Sequence, residues 1–213
     1  MMSSTLQQAF ILNSNGIGLL ASGDARAAFG CFRQALTLLS EASASSEVID
    51  LPPQPENVQE HMQHLILVSL SDMDPAVMTF PNEAILIATS EQELAESMTL
   101  ENLTLFSAAV IFNCAVAMDR KAAYCDTSSS LDSHLERATR LYAHCLQLLG
   151  SSSSGGSSLL AFVDRATRGM ASNLYSLGDF GSVRSLFDDL LLLQVSSHSE
   201  WTERIMTPTA PSA

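Results

Sequence analysis

Two stretches near opposite ends of the chain carry similar residues at identical offsets, and that recurrence limits the fold more than any other feature. In the first, Gly16 is followed seven residues later by Gly23-Asp24, with Leu19 between them and Ala28, Phe32 and Ala35 beyond. In the second, Ala171 is followed seven residues later by Gly178-Asp179, with Leu174 between them and Val183, Phe187 and Leu190 beyond. The two registers match without a gap. Self-similarity of this kind is the mark of a stacked repeat architecture.

Each position has a reason in a helix-turn-helix unit. A small residue at Gly16 or Ala171 lets the two helices approach closely. Gly-Asp ends the first helix with a residue that tolerates positive φ, and Asp favours the start of the next. Large residues at Leu19, Phe32, Leu174 and Phe187 are expected to fill the seam. The spacing of three and four in Ala28-Phe32-Ala35-Leu36-Leu39 gives a single apolar stripe. A hairpin with one such stripe must stack on a neighbour.

A middle unit follows the same plan, with one helix from Leu103 to about Tyr124 and a second over LDSHLERATRLYAHCLQLL, where Ala138, Tyr142 and Cys145 take the small-large-small positions. Between them DTSSSLDS reads as a turn lengthened by an insertion. The stretch from about 43 to 100 interrupts the array: Pro-rich ASSEVIDLPPQPEN is followed by HLILVSL, AVMTF and AILIAT, short apolar runs separated by turn chemistry. Extended segments are expected there, with a short β-hairpin. For residues 58–70 helix and strand both fit, because short apolar runs do not discriminate. EQELAESM at 91–98 reads as a solvated turn or loop, GSSSSGGSS at 150–158 as a flexible connection, and 194–213 as a short helix, SEWTERIM, with a disordered tail.

The chain has 213 residues, 46% of them hydrophobic but only 6% aromatic, which suits helix on helix in one elongated domain. Its net charge is −13, and no Lys or Arg occurs from 34 to 119 against thirteen Asp and Glu. That block repels phosphates, so nucleic acid and anionic membranes are disfavoured, and a charged partner is expected to be neutral or basic. No basic leader, 18-residue apolar run or CxxC pair is present, which points to a reduced cytoplasmic or nuclear protein. Cys31, Cys114 and Cys145 are expected to be buried as small apolar residues.

The segments NSNGIGLLASGDARAAFGCFRQAL, SAAVIFNCAVAMDRK with LERATRLYAHCLQLL, and RGMASNLYSLGDFGSVRSLFDDLL resemble the tetratricopeptide repeat (TPR) family. More closely, they are similar to a largely uncharacterised family of proteins of single-celled algae and diatoms, in which an FN-A-A helix follows a strand-forming segment. The chain departs from the repeat pattern at Leu12, which stands at the tryptophan-type position, and in lacking the helix-closing proline. The resemblance implies a mainly all-α fold, an α-solenoid of TPR-like hairpins at about 6–40, 103–149 and 159–193 within a single domain over 1–193. It also implies a concave groove, lined by the first helix of each hairpin, that binds a peptide or a partner helix without catalysis. Position along those helices makes Asn13, Ile17, Asn113, Ala117, Arg165 and Arg168 the groove candidates. Of the clamp that some relatives close on an acidic C-terminus, only Asn113 is matched; Asn13, Ile17 and Gly169 replace the other ligands, so that activity is not expected here.

Other constellations are weaker. His61-x-x-His64 beside Glu60, with Asp72-x-Asp74, would serve as a hydrolytic metal site only if they converged with a third ligand and a second shell. Solvated histidines and an Asp-Pro turn account for them more simply. There is no GxSxG elbow, P-loop or dinucleotide fingerprint, and His144 and Cys145 point about 100° apart on a helix. Asn113 is either a ligand for a peptide backbone or a polar bond between repeats. The serine-rich loops 127–133 and 150–158 read as linkers before phosphoacceptors. The expectation is a protein-binding scaffold with no cofactor and no resident metal; the rivals are a metal-dependent hydrolase and a self-assembling module, a homo-oligomer joined through exposed Leu190–Leu193.

Overall fold

A computed structural model of the chain describes residues 4–44, 65–70, 83–87, 100–125, 127–150 and 157–191. Most of these are helical. In chain order the elements are α1 (Ser4–Ala21), α2 (Ala25–Ala44), β1 (Leu65–Ser69), β2 (Glu83–Ile87), α3 (Leu100–Ala123), α4 (Ser128–Gly150), α5 (Ser157–Ser176) and a last helix, α6, over 180–191. Each of the first helices packs on its neighbour in sequence, α1 on α2, α2 on α3, α3 on α4 and α4 on α5, while β2 lies against α1 and α3.

The two Gly-Asp turns are built alike. Gly23 and Gly178 sit at φ of 87° and 80°, the left-handed region that glycine enters without strain. Around Gly23 the Asp24 N–H bonds to Leu19 O and the Gly23 N–H to Leu20 O; around Gly178 the Asp179 N–H bonds to Leu174 O and the Gly178 N–H to Tyr175 O. These nested bonds consume carbonyls that a helix end would otherwise leave open. Asp24 and Asp179 then cap the following helices, Asp24 Oδ1 accepting from Ala27 N–H and Asp179 Oδ1 from Ser182 N–H. One dipeptide therefore stops one helix and starts the next.

Packing divides the two turns. A Cβ added at Gly16 would lie 2.4 Å from Phe32 Cε1, so the phenyl ring occupies the space that glycine leaves open and is wholly buried. The third hairpin has Ala171 at the corresponding position. Phe187 is 39% exposed, against the expectation that it fills the seam. Leu174 is buried as expected.

In the middle unit the turn is not lengthened as the sequence suggested, because α4 begins at Ser128 and leaves only 124–127 between helices. The apolar register of Leu135, Ala138, Tyr142, Cys145 and Leu149, all buried, runs back to half-buried Leu131. That stripe draws the serines into the first helical turn. Two further expectations change: Cys31 is only partly buried and Leu190 is buried. The expected extended segments are present as strands at 65–69 and 83–87, and of the two readings left open for 58–70, strand holds over 65–69. Residues 58–64, 91–98, the linker at 151–156 and 194–213 lie outside the described residues.

Helix α3 is the centre of the fold, every residue of 108–120 being buried. A helix apolar all round belongs in a core. Its 102–123 stretch is long and apolar enough to cross a membrane by length and composition, but 89% of the most apolar window is buried inside the protein. Phe112 anchors it, with edge-on ring contacts to Tyr142 of α4 at 5.7 Å and Phe162 of α5 at 5.6 Å. Beside it, β1 and β2 pair antiparallel, with Leu67 opposite Ile85.

The two glycines of α1 test this packing in opposite directions. Gly16→Ala is expected to lower stability by about 1–3 kcal/mol through overpacking against Phe32, outweighing the roughly 0.5–1 kcal/mol that alanine gains over glycine in a helix. At Gly18 an added Cβ meets nothing within 4 Å, so Gly18→Ala is expected to stabilise by that smaller amount. Urea unfolding of the two variants checks both signs.

Candidate strand-holding groove

The site begins with an asparagine in an apolar helix. Asn113 is completely buried, and a carboxamide in that position must place two donors and an acceptor. Its Oδ1 accepts from the Ile85 N–H at 2.7 Å, and its Nδ2 donates to Ile85 O at 2.8 Å. One side chain thus bonds both main-chain groups of a strand residue, as the next strand of a ladder would. The second Nδ2 proton goes to Asn13 Oδ1 at 2.8 Å, and Asn13, also completely buried, donates from Nδ2 to Ile85 O at 3.1 Å. Because Ile85 opposes Leu67 in β1 and turns its polar groups to the asparagines, β2 is held by a strand on one edge and by side chains on the other.

A second set of bonds lies two helical turns along. Arg120, 1% exposed, donates from Nη1 to Leu20 O at 2.8 Å and from Nη2 to Leu70 O at 3.4 Å. Leu20 O belongs to the last turn of α1, where the helix dipole favours a cation. Asn113 reaches Asn13 and Arg120 reaches Leu20, each across 100 residues of chain. Two bonds of equal offset, seven residues apart on both helices, set α1 and α3 parallel and in step. Burial draws the Arg120 pKa down from the ordinary guanidinium range.

Asp119, on the adjoining side of α3, accepts from Tyr142 Oη at 2.6 Å and from Asn173 Nδ2 at 2.7 Å, tying α4 and α5 to the same helix. Burial pushes its pKa up to about 7, with the two hydrogen bonds opposing that rise. Burial, then the Asp119 charge, raises Tyr142 well above the ordinary phenol value. Cys114 is pushed up to about 12 and Cys145 is raised as well, both by burial. These two thiols stay protonated at neutral pH, and a protonated thiol is a poor nucleophile.

The six groove candidates separate into three kinds. Asn13, Asn113 and Arg165 all meet β2: Arg165 Nε of α5 lies 3.0 Å from Glu83 Oε2, an electrostatic pairing without the alignment of a hydrogen bond. Ile17 and Ala117 are buried core residues and present nothing to a ligand. Arg168 is exposed and pairs with Asp164 on its own helix at 2.8 Å. His61, His64, Asp72 and Asp74 lie outside the described residues; among those described, no three His, Cys, Asp or Glu side chains are grouped to hold a metal.

Glu83, Ile85, Asp119, Arg120, Tyr142 and Asn173 escaped the reading of the sequence as site residues. The available signal was the run IFNCAVAMDRK, in which Asn113, Asp119 and Arg120 interrupt an otherwise apolar helix. Buried polar groups must find partners, so three of them on one core helix announce three sets of contacts.

Removing the carboxamide leaves the Ile85 N–H without its acceptor, and Asn113→Ala is expected to cost roughly 2–4 kcal/mol from two or three lost buried bonds, read by urea unfolding. For Asp119, the folded pKa of about 7 exceeds the ordinary carboxyl value of 3.8. Its contribution is therefore complete below about pH 4 and is lost as pH rises towards 7, by up to about 1.4 kcal/mol per pH unit. The urea midpoint of the wild type is expected to fall between pH 5 and 7, and that of Asp119→Asn to fall less.

Compared with family models, with curated proteins and with solved structures, the chain matches none, so the chemistry of the site itself carries the functional reading.

Proposed function

We propose that this protein is a non-catalytic interaction scaffold, a short α-solenoid of tetratricopeptide-like hairpins that holds extended polypeptide on the face formed by the first helix of each hairpin. The observation that carries the reading is the pair of bonds from the Asn113 carboxamide to the N–H and C=O of Ile85. A side chain placed to complete a β-ladder recognises backbone, and recognition of extended backbone is how many peptide-binding proteins gain affinity.

Further facts support it. The first helix of each hairpin sends one side chain to the strand, Asn13 from α1, Asn113 from α3 and Arg165 from α5. The Gly-Asp turns at Gly23 and Gly178 share their nested helix-ending bonds and their Asp cap, as expected of repeats of one unit. The polar cluster around Asp119 joins α3, α4 and α5 in bonds that keep hairpins in register, and Cys114 and Cys145 are unsuited to nucleophilic work. The net charge of −13 favours a neutral or basic partner overall and opposes nucleic acid.

The test is capture of partners from native extract by the wild type and by Arg165→Glu. Arg165 is about one-third exposed, so its replacement leaves the core intact, which circular dichroism verifies. A protein retained by the wild type and depleted severalfold with the variant supports the groove. Equal retention moves the binding surface elsewhere, and no specific retention contradicts the scaffold.

A further inference from the structure

We infer that β2 is the groove's exchangeable occupant, a resident strand that yields its place to a partner's extended segment of the same chemical pattern: an acid, a small residue, a β-branched residue, any residue, a β-branched residue. This deepens the scaffold reading and rests on it. Every bond from Asn13 and Asn113 to the strand ends on main-chain atoms of Ile85, and any residue but proline presents those atoms. The asparagines therefore cannot tell whose strand they hold. Selection falls to the side chains: Ala84, Ile85 and Ile87 are buried, demanding a small residue and two apolar ones, while Arg165 selects the acid at the position of Glu83.

The groove cannot simply stand empty. With the strand gone, two completely buried carboxamides would lose their bonds to Ile85, which natural cores avoid. Exchange of one strand for another keeps those bonds and is the transition the site allows. Arg165 has a particular part in it: the chain carries no Lys or Arg from 34 to 119, so no basic residue of that stretch competes for an acidic side chain. A partner that is neutral or basic overall still fits, provided it offers one acid beside its apolar residues. The resident strand competes at an effective concentration on the order of millimolar, so a partner must bring its own affinity from outside the pattern or bind when β2 is weakened.

A fluorescent peptide with the sequence of residues 81–89, PNEAILIAT, is the probe, titrated by polarisation into the full chain. Wild type is expected to bind it weakly, with an apparent Kd on the order of millimolar set by the resident strand. Glu83→Lys turns the ion pair into a repulsion with Arg165 and is expected to bind the probe roughly three- to tenfold tighter. Arg165→Glu is expected to reverse the preference, taking PNKAILIAT over PNEAILIAT. PNEAPLIAT, without the central N–H, is expected to bind none of the chains. Both substitutions are at partly exposed positions, Arg165 at 35% and Glu83 at 27%, and thermal melts verify that the variants fold. Exchange is overturned if neither variant binds its matched peptide above the proline control. If that happens while Arg165→Glu still loses a captured partner, the scaffold reading survives and only exchange fails; if capture fails as well, both do.

Discussion

The fold depends on the satisfaction of polar groups carried into its core by α3. A helix with 108–120 fully buried would be simplest if it were apolar throughout, yet it brings in Asn113, Asp119 and Arg120. Each makes a demand on a different part of the chain: Asn113 on the strand and α1, Arg120 on the ends of α1 and β1, Asp119 on α4 and α5. Apolar packing is tolerant of small slides, whereas bonds of fixed length and direction are not. The polar residues therefore choose one arrangement among the many that hydrophobic burial would accept, and they choose it by the cost of leaving a buried group unpaired.

The hairpins show that one turn can serve two different packings. First and third share the nested bonds of the turn and the Asp cap, since Gly-Asp dictates both the end of one helix and the beginning of the next. They part in the aromatic ring of the second helix. Gly16 leaves the space that Phe32 fills against α1, while Phe187, at the same offset from Ala171, is 39% exposed. Tyr175 and Phe180 remain exposed, meeting edge-on at 5.1 Å. The first hairpin is sealed between its own helices and α3; the third keeps an aromatic face turned outward.

What the sequence disclosed was local. Helices, their apolar stripes and both Gly-Asp turns follow from contacts within a few residues, and these were legible. So was the strand-like character around 65–69 and 83–87, though for 58–70 the apolar run alone did not distinguish strand from helix. The serine-rich start of α4 misled, because serine reads as a loop until Leu131 is seen to extend the stripe upstream. The site was half legible: helix position pointed to Asn13, Asn113 and Arg165, but Ile17 and Ala117 lie on buried sides of the same helices, and Arg168, less than one turn beyond Arg165, turns to Asp164. A partition of faces needs the neighbour's position, and a neighbour 28 or 100 residues away, as Ile85 and Asn13 are from Asn113, leaves no periodicity in the sequence.

Hydrogen exchange at the Ile85 amide, followed by NMR in the wild type, tests most directly whether the asparagine pair holds the strand. An N–H bonded at 2.7 Å inside a fully buried cluster should stay closed while no competing strand is present to replace β2, so in the protein alone Ile85 is expected to exchange as slowly as the core amides of α3 around Phe112. Exchange at Ile85 much faster than at Phe112 would contradict the account, placing the strand loosely on the helices and removing the physical basis of the groove.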